Sequence, residues 1–325
     1  MAGIESGTPP KDWFGKPVGR GRLGRNTYLL KHYRKKRKTE TGITVAIQAT
    51  FMPWIGLNCR IQYGVEFIVL GIVAFGAALL TFISGFGLGT LLMPALACFV
   101  APEAAVALTA VVHLLTNLTK VALVGKQAQR SILLQFGLPA IAGGLAGGYL
   151  LTTWSQANEP IIWQLGSWTC WTYPAPLAIG LIMLSVAVLE LNPWFDTWRP
   201  QAKWLPLGGL VSGLLGGLSG HQGALRSAFL IGLPTLTPVS FVATGAVIAC
   251  AVDGARLLAY GSAAWLPASN HIELLGIAAG AALAGTWAGN RWLPKVTLPF
   301  VRRMVGVALL VIALRLITGG FPLPA

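Results

Sequence analysis

From about residue 65 onward, apolar residues come in long unbroken blocks, and polar residues gather in the short stretches between them. The blocks run over about 65 to 84, 88 to 100, 102 to 125, 131 to 152, 174 to 191, 204 to 218, 223 to 233, 238 to 261, 271 to 288 and 301 to 318. Alternation at period two is absent, and no face is consistently polar, so each block reads as a helix apolar all round. Most are near the roughly 20 residues that a bilayer's hydrocarbon core demands. The blocks at 88 to 100 and 223 to 233 are too short, at about 1.5 Å per residue, for a core of roughly 30 Å. Both follow a Ser-Gly pair, Ser84-Gly85 and Ser219-Gly220. Discontinuous helices of this kind are tolerated where they line a cavity rather than face lipid.

The pattern repeats. Aligned without a gap, 102 to 125 and 238 to 261 share Pro102/Pro238, Val106/Val242, Ala107/Ala243, Ala110/Ala246, Val111/Val247 and Gly125/Gly261. Asn117 falls opposite Asp253, and Lys120 opposite Arg256. An internal repeat in an apolar chain points to a transporter made of two related halves. The halves correspond as 65–191 and 204–325, joined by a linker at 192–203. The expected fold class is an all-α polytopic membrane protein, with about ten transmembrane segments in two inverted five-helix repeats.

Composition agrees: the chain is 54% hydrophobic and 10% charged, where soluble domains carry about 25% charged residues. Net charge is +14, and twelve Lys and Arg against three acidic residues put +9 of it in residues 1–60. Residues 1–42 read as an irregular basic extension, and its run Lys31 to Lys38 suits anionic lipid on the cytoplasmic face rather than nucleic acid. Residues 43–64 form a moderately apolar segment that either crosses the membrane or lies in its interface. Lys126 and Arg130, Arg199 and Lys203, and Arg291, Lys295, Arg302 and Arg303 fall in alternate connections, whereas 153–173 and 262–270 hold no Lys or Arg. If every block crosses, this bias puts the basic loops inside and inverts the second half relative to the first. A cytoplasmic N-terminus then requires 43–59 to cross. The expected location is the inner membrane.

At Ser84 to Pro94 and Ser219 to Leu230 the chain resembles the TauE/SafE sulfite exporter family. A glycine-rich turn, a short apolar helix and a Pro-started long helix recur once per half, over about residues 65 to 320. The resemblance implies movement of sulfite, sulfonates or related small sulfur or carboxylate anions across the cytoplasmic membrane, by export or import. In the second half the turn reads SGHQGALRSAFL, and His221, Gln222 and Arg226 make it more polar than the family pattern.

The candidate anion site is Ser84, Gly85, Asn117, Lys120, Ser219, Gly220, His221, Gln222, Arg226, Asp253 and Arg256. His113, Asn117 and Lys120, spaced i, i+4, i+7, share one helix face. Lys120 or Arg256 would supply charge, Asn117 a hydrogen bond, and the short helices their N-terminal dipoles. Arg226 can clamp a sulfonate or carboxylate with two hydrogen bonds. The plainer readings stay open: Lys120 and Arg256 near helix ends can snorkel to the interface, Arg226 can tie freed carbonyls, and Asp253 can neutralise Arg256. The four cysteines form no C-x-x-C pair, and no nucleophile–base set, phosphate loop or metal spacing is present, so neither an enzyme nor a cofactor is expected. The expected activity is secondary transport by alternating access. The alternative is a transport-silent accessory subunit, docked through its N-terminal extension on a membrane protein partner.

Overall fold

The computed structural model describes residues 59–84, 88–157, 159–166, 168–291, 298–319 and 323–324. The basic extension, most of the 43–64 segment and Gly85 lie outside the described residues. Residues from Gly64 onward form one compact unit.

Helix α1 is Cys59–Ser84 and α2 is Leu88–Ala97. Helix α3, Pro102–Val124, starts on a proline whose missing N–H would be unpaired there anyway. Helix α4, Arg130–Ser155, contains a π-helical turn at Leu133–Gly137. Helix α5 is Pro174–Leu191, and a single turn at Trp194–Thr197 follows in the linker. Helix α6 is Leu205–Ser219, α7 is Gln222–Ile231, α8 is Pro238–Ser269, α9 is Ile272–Arg291 and α10 is Leu298–Thr318.

Three features differ from the sequence reading. The polar stretch 153–173 is not all loop: β1 (Ile161–Leu165) and β2 (Trp168–Thr172) form an antiparallel hairpin, with Gly166 at φ +64° in its turn. A two-residue strand β3, Leu323–Pro324, adds to β2. The fold is therefore mostly helical rather than all-α. Helix α8 continues past residue 261 to Ser269, but Gly261 takes non-helical angles (φ +50°, ψ −142°) and kinks it. Finally, five helical spans among the described residues are both long and apolar enough to cross a membrane: Pro102–Gln127, Arg130–Ser155, Pro174–Leu191, Pro238–Gly261 and Ile272–Gly289. Helices α2, α6 and α7, at 10, 15 and 10 residues, fall short.

Helix directions follow from the contacts. Helices α4 and α6 run parallel at backbone contact. A Cβ on Gly143 or Gly147 would strike the carbonyls of Leu210 and Leu214, and one on Gly213 or Gly217 those of Ala140 and Gly144. Small residues every fourth position let backbones approach this closely, which is how helices associate without a hydrophobic drive. Gly144 and Gly148 bring α8 against the other side of α4, also parallel, through Val252 and Ala259. Helix α3 runs antiparallel to α8. Gln129, just beyond the C-terminal end of α3, bonds Thr235 and Thr244 at the N-terminal end of α8, while His113 meets Asp253 midway. Helices α5 and α10 are antiparallel too, with Gly180 packed on Ala313 to Ile317 and Gly306 on Ala187 and Leu191.

Helix α7 folds back along α6. Ser212 Oγ donates to Gln222 O at 2.9 Å, and Gly208 lies against the ring of Phe229. Gly220 turns the chain with φ +83°, a conformation glycine adopts without penalty. Since Gly217 faces Gly144, near the middle of α4, the hairpin tip sits partway along its long neighbours. Its open end is strapped by the linker, where Trp198 packs edge-on to Phe229 at 5.5 Å and Arg199 crosses Gly232.

Candidate functional site

The polar groups converge where α3 packs on α8 and α7 lies against α8. Asp253 is fully buried and is the hub. Its Oδ2 lies 2.6 Å from His113 Nδ1 on α3. Its Oδ1 accepts from Gln222 Nε2 on α7 at 2.9 Å and from Arg256 Nε at 3.0 Å. Arg256 Nη2 is 2.8 Å from the same oxygen, as an ion pair rather than an aligned hydrogen bond. Arg256 Nη1 donates to Gly216 O on α6 at 3.0 Å, and Tyr260 OH donates to Gly217 O at 2.6 Å. One carboxylate thus joins α3, α7 and α8, and through Arg256 it reaches α6. Removing either partner of such a buried pair leaves an uncompensated charge, at about 3 to 5 kcal/mol.

Beside this network lies a narrow cleft. Its polar lining is Lys120 and Asn117 from α3, Arg226 and Ser227 from α7, and Thr81 from α1. The rest is apolar: Leu230 from α7, with Phe241, Val242, Gly245 and Ala246 from α8. Lys120 and Arg226 are each 3% exposed, so neither reaches the helix ends to snorkel. No acidic side chain lines the cleft. Asn117 donates to His113 O at 2.8 Å, which fixes its amide beside Lys120.

The candidate residues therefore fall into two groups. Asn117, Lys120 and Arg226 share the cleft. Gln222, Asp253 and Arg256 form the network behind it, where Asp253 neutralises Arg256. Ser219, Gly220 and His221 make the hairpin tip: Ser219 Oγ donates to Leu215 O, and His221 Nδ1 lies 3.1 Å from that hydroxyl. His221 Nε2 is buried with no hydrogen-bond partner among the described residues. Ser84 ends α1; the turn that follows it lies outside the described residues. The first half does reach the tip, since a Cβ on Gly89, at the start of α2, would lie 2.7 Å from Gly220 O. The repeat alignment pairs Lys120 with Arg256, but the cleft pairs Lys120 with Arg226. His113, whose Nδ1 contacts Asp253, was not among the site candidates, although its i, i+4 spacing to Asn117 marked the face.

Residues 70–316, about three quarters of the chain, match the family described as sulfite exporter TauE/SafE. The chain belongs to the TauE/SafE family. Comparisons with curated proteins and with solved structures give no match. Membership makes this TauE/SafE chain a multi-pass membrane protein of a transporter family rather than one of enzymes, in keeping with its apolar helices. Among its described residues no group of His, Cys, Asp and Glu is placed to hold a metal ion.

Proposed function

We propose that this TauE/SafE protein is a secondary transporter that carries a small sulfur or carboxylate anion by alternating access. One observation carries the reading: two buried cations and no acidic side chain line one cleft among apolar helices. Charges inside membrane helices are expensive and usually mark a substrate path. Here Arg226 offers a planar two-pronged donor, Lys120 a point charge, and Asn117 and Ser227 further hydrogen bonds.

The packing supports an inverted repeat. Exchanging each helix for the one five places later maps α3 on α8 and α5 on α10, and both pairs are antiparallel. The same exchange maps the parallel pair α4 and α6 onto α9 and α1, where Gly285 meets Phe75 O and Gly71 meets Ile277. In this reading α6 and α7 form a re-entrant hairpin that enters and leaves on one side. The basic connections then stay cytoplasmic, in the inner membrane, because a hairpin and two full crossings leave the same parity. Anionic lipid under the N-terminal extension belongs to the same proposal.

The test is binding by the purified protein, read as a rise in melting temperature with sulfite, thiosulfate, taurine, sulfoacetate and carboxylate controls. A ligand at a hundred times its Kd stabilises the native state by about 2.7 kcal/mol. The expected result is a shift with one anion class, lost in both Arg226→Ala and Lys120→Ala. A shift that survives both substitutions would overturn the site, and flux into proteoliposomes without such a shift would relocate it.

A further inference from the structure

The cleft accounts for Lys120 and Arg226 but leaves the His113–Asp253 pair behind it without a task. His113 sits at the middle of α3, one turn from Asn117 and two from Lys120. Its Nδ1 faces Asp253 Oδ2 at 2.6 Å, while Asp253 Oδ1 already accepts from Gln222 and Arg256. A carboxylate held by three donors is acting as an acceptor, so the imidazole presents Nδ1–H to it. That leaves Nε2 as the nitrogen with a lone pair. Nε2 makes no hydrogen bond among the described residues, and the side chain keeps 6% of its surface exposed. Imidazole is the side chain whose charge changes closest to neutral pH.

The charged groups facing His113 are Asp253 and Arg256 from α8 and Arg226 from α7; Lys120 is on its own helix. Helix α2, also packed on α3, contains no titratable residue. On α5 and α9 the only charged side chains are Glu190, Glu273 and Arg291, all at helix ends. With His113 neutral, Lys120, Arg226, Arg256 and Asp253 sum to +2, so the imidazole protonates against net positive charge. An anion in the cleft lowers that charge, and proton binding in turn strengthens the hold on the anion.

We infer that His113 is the proton-binding site of this transporter, and that one proton enters and leaves with each anion. This rests on the anion reading of the cleft. The proton adds to Nε2 from water, giving an imidazolium whose Nδ1–H stays on Asp253. It returns from Nε2 to water when the anion leaves. Linkage sets the sign: anion affinity is highest and flat at low pH, and it falls as pH rises through the titration of His113, by at most tenfold per pH unit for one proton.

The experiment uses the full chain in detergent with methanesulfonate and thiosulfate, both fully ionised between pH 5 and 9. Anion is mixed into weakly buffered protein with an indicator dye, and Kd is measured across that range. The expected result is net proton uptake approaching one per anion bound, with a Kd that weakens as pH rises. In His113→Gln the uptake should vanish and the Kd should stay at the weak, high-pH value. In His113→Arg the charge is permanent, and the Kd should stay tight across the range. Anion binding without proton uptake in the unsubstituted protein overturns this inference alone. So does uptake that persists in either variant. Failure of both anions to bind at any pH overturns the anion reading and takes this inference with it.

Discussion

Adding one methyl group at Gly213 tests whether the α4–α6 seam sets the geometry of the site. A Cβ there would overlap the carbonyl oxygen of Ala140 and press on its carbonyl carbon. Contacts of this kind are comfortable at about 3.5 Å, so Gly213→Ala forces the helices apart by roughly 1.5 Å. Overpacking of that size costs about 1 to 3 kcal/mol. The shift also carries Gly216 away from Arg256, whose Nη1 bond to Gly216 O is 3.0 Å long and has little slack. Losing a hydrogen bond to a charged group adds about 1.5 to 3 kcal/mol. The sum is about 3 to 6 kcal/mol, which corresponds to a fall in Tm on the order of 10 °C for a chain of this size. The matched control is Gly254→Ala on α8, where a Cβ meets nothing within 4 Å. That change should be neutral or raise stability by up to about 1 kcal/mol, because alanine is the better helix former. The assay is thermal unfolding of the purified protein in detergent, followed by tryptophan fluorescence. If the Gly213→Ala and Gly254→Ala proteins melt within about 2 °C of each other, the reasoning about the seam is wrong.

Other expected outcomes follow from the network. Asp253→Asn leaves the fully buried Arg256 without its counter-ion and should destabilise by about 3 to 5 kcal/mol; a second change, Arg256→Gln, should recover part of that loss, as a melting double-mutant cycle would show. Tyr260→Phe removes the 2.6 Å bond to Gly217 O and leaves that carbonyl unserved, so a loss of about 1 to 2 kcal/mol in denaturant or thermal titration is expected. Gly220→Ala places a side chain at φ +83° beside Arg256, at about 1 to 2 kcal/mol of strain, and should slow anion flux in proteoliposomes.

The helix starts were legible because prolines mark them. Pro102, Pro174 and Pro238 each open a helix at the expected residue. Chain termini of other helices drifted for physical reasons. Helix α1 begins at Cys59 rather than near 65, so the end of the segment read separately as 43–64 belongs to it. The hairpin at β1 and β2 was missed because its strands, IIWQL and WTCWT, are only five residues each and sit inside a stretch read by polarity. Within the site, the Asp253–Arg256 pair was readable from i, i+3 spacing on one helix. The meeting of Lys120 with Arg226 was not. It depends on α7 folding back along α6, and a gapless alignment of α3 with α8 carries no information about a third helix. The repeat therefore pointed at Arg256, whereas depth and direction bring Arg226 to the cleft.

The seam described above also limits which parts of the molecule can move. Helices α4 and α6 touch through glycine and backbone, a joint with no side chain that can change rotamer to accommodate sliding or opening, and α8 is tied to α6 by the buried Arg256–Gly216 and Tyr260–Gly217 bonds. These three helices would travel as a single block even though α4 comes from one half of the chain and α6 and α8 from the other. Helix α7 is different: it meets its surroundings through Gln222, Arg226 and Phe229, all of which can change partners. The boundary between fixed and moving parts would therefore cut across the repeat instead of following it, with the short helix acting as the rocker and the linker around Trp198 and Arg199 as its hinge strap.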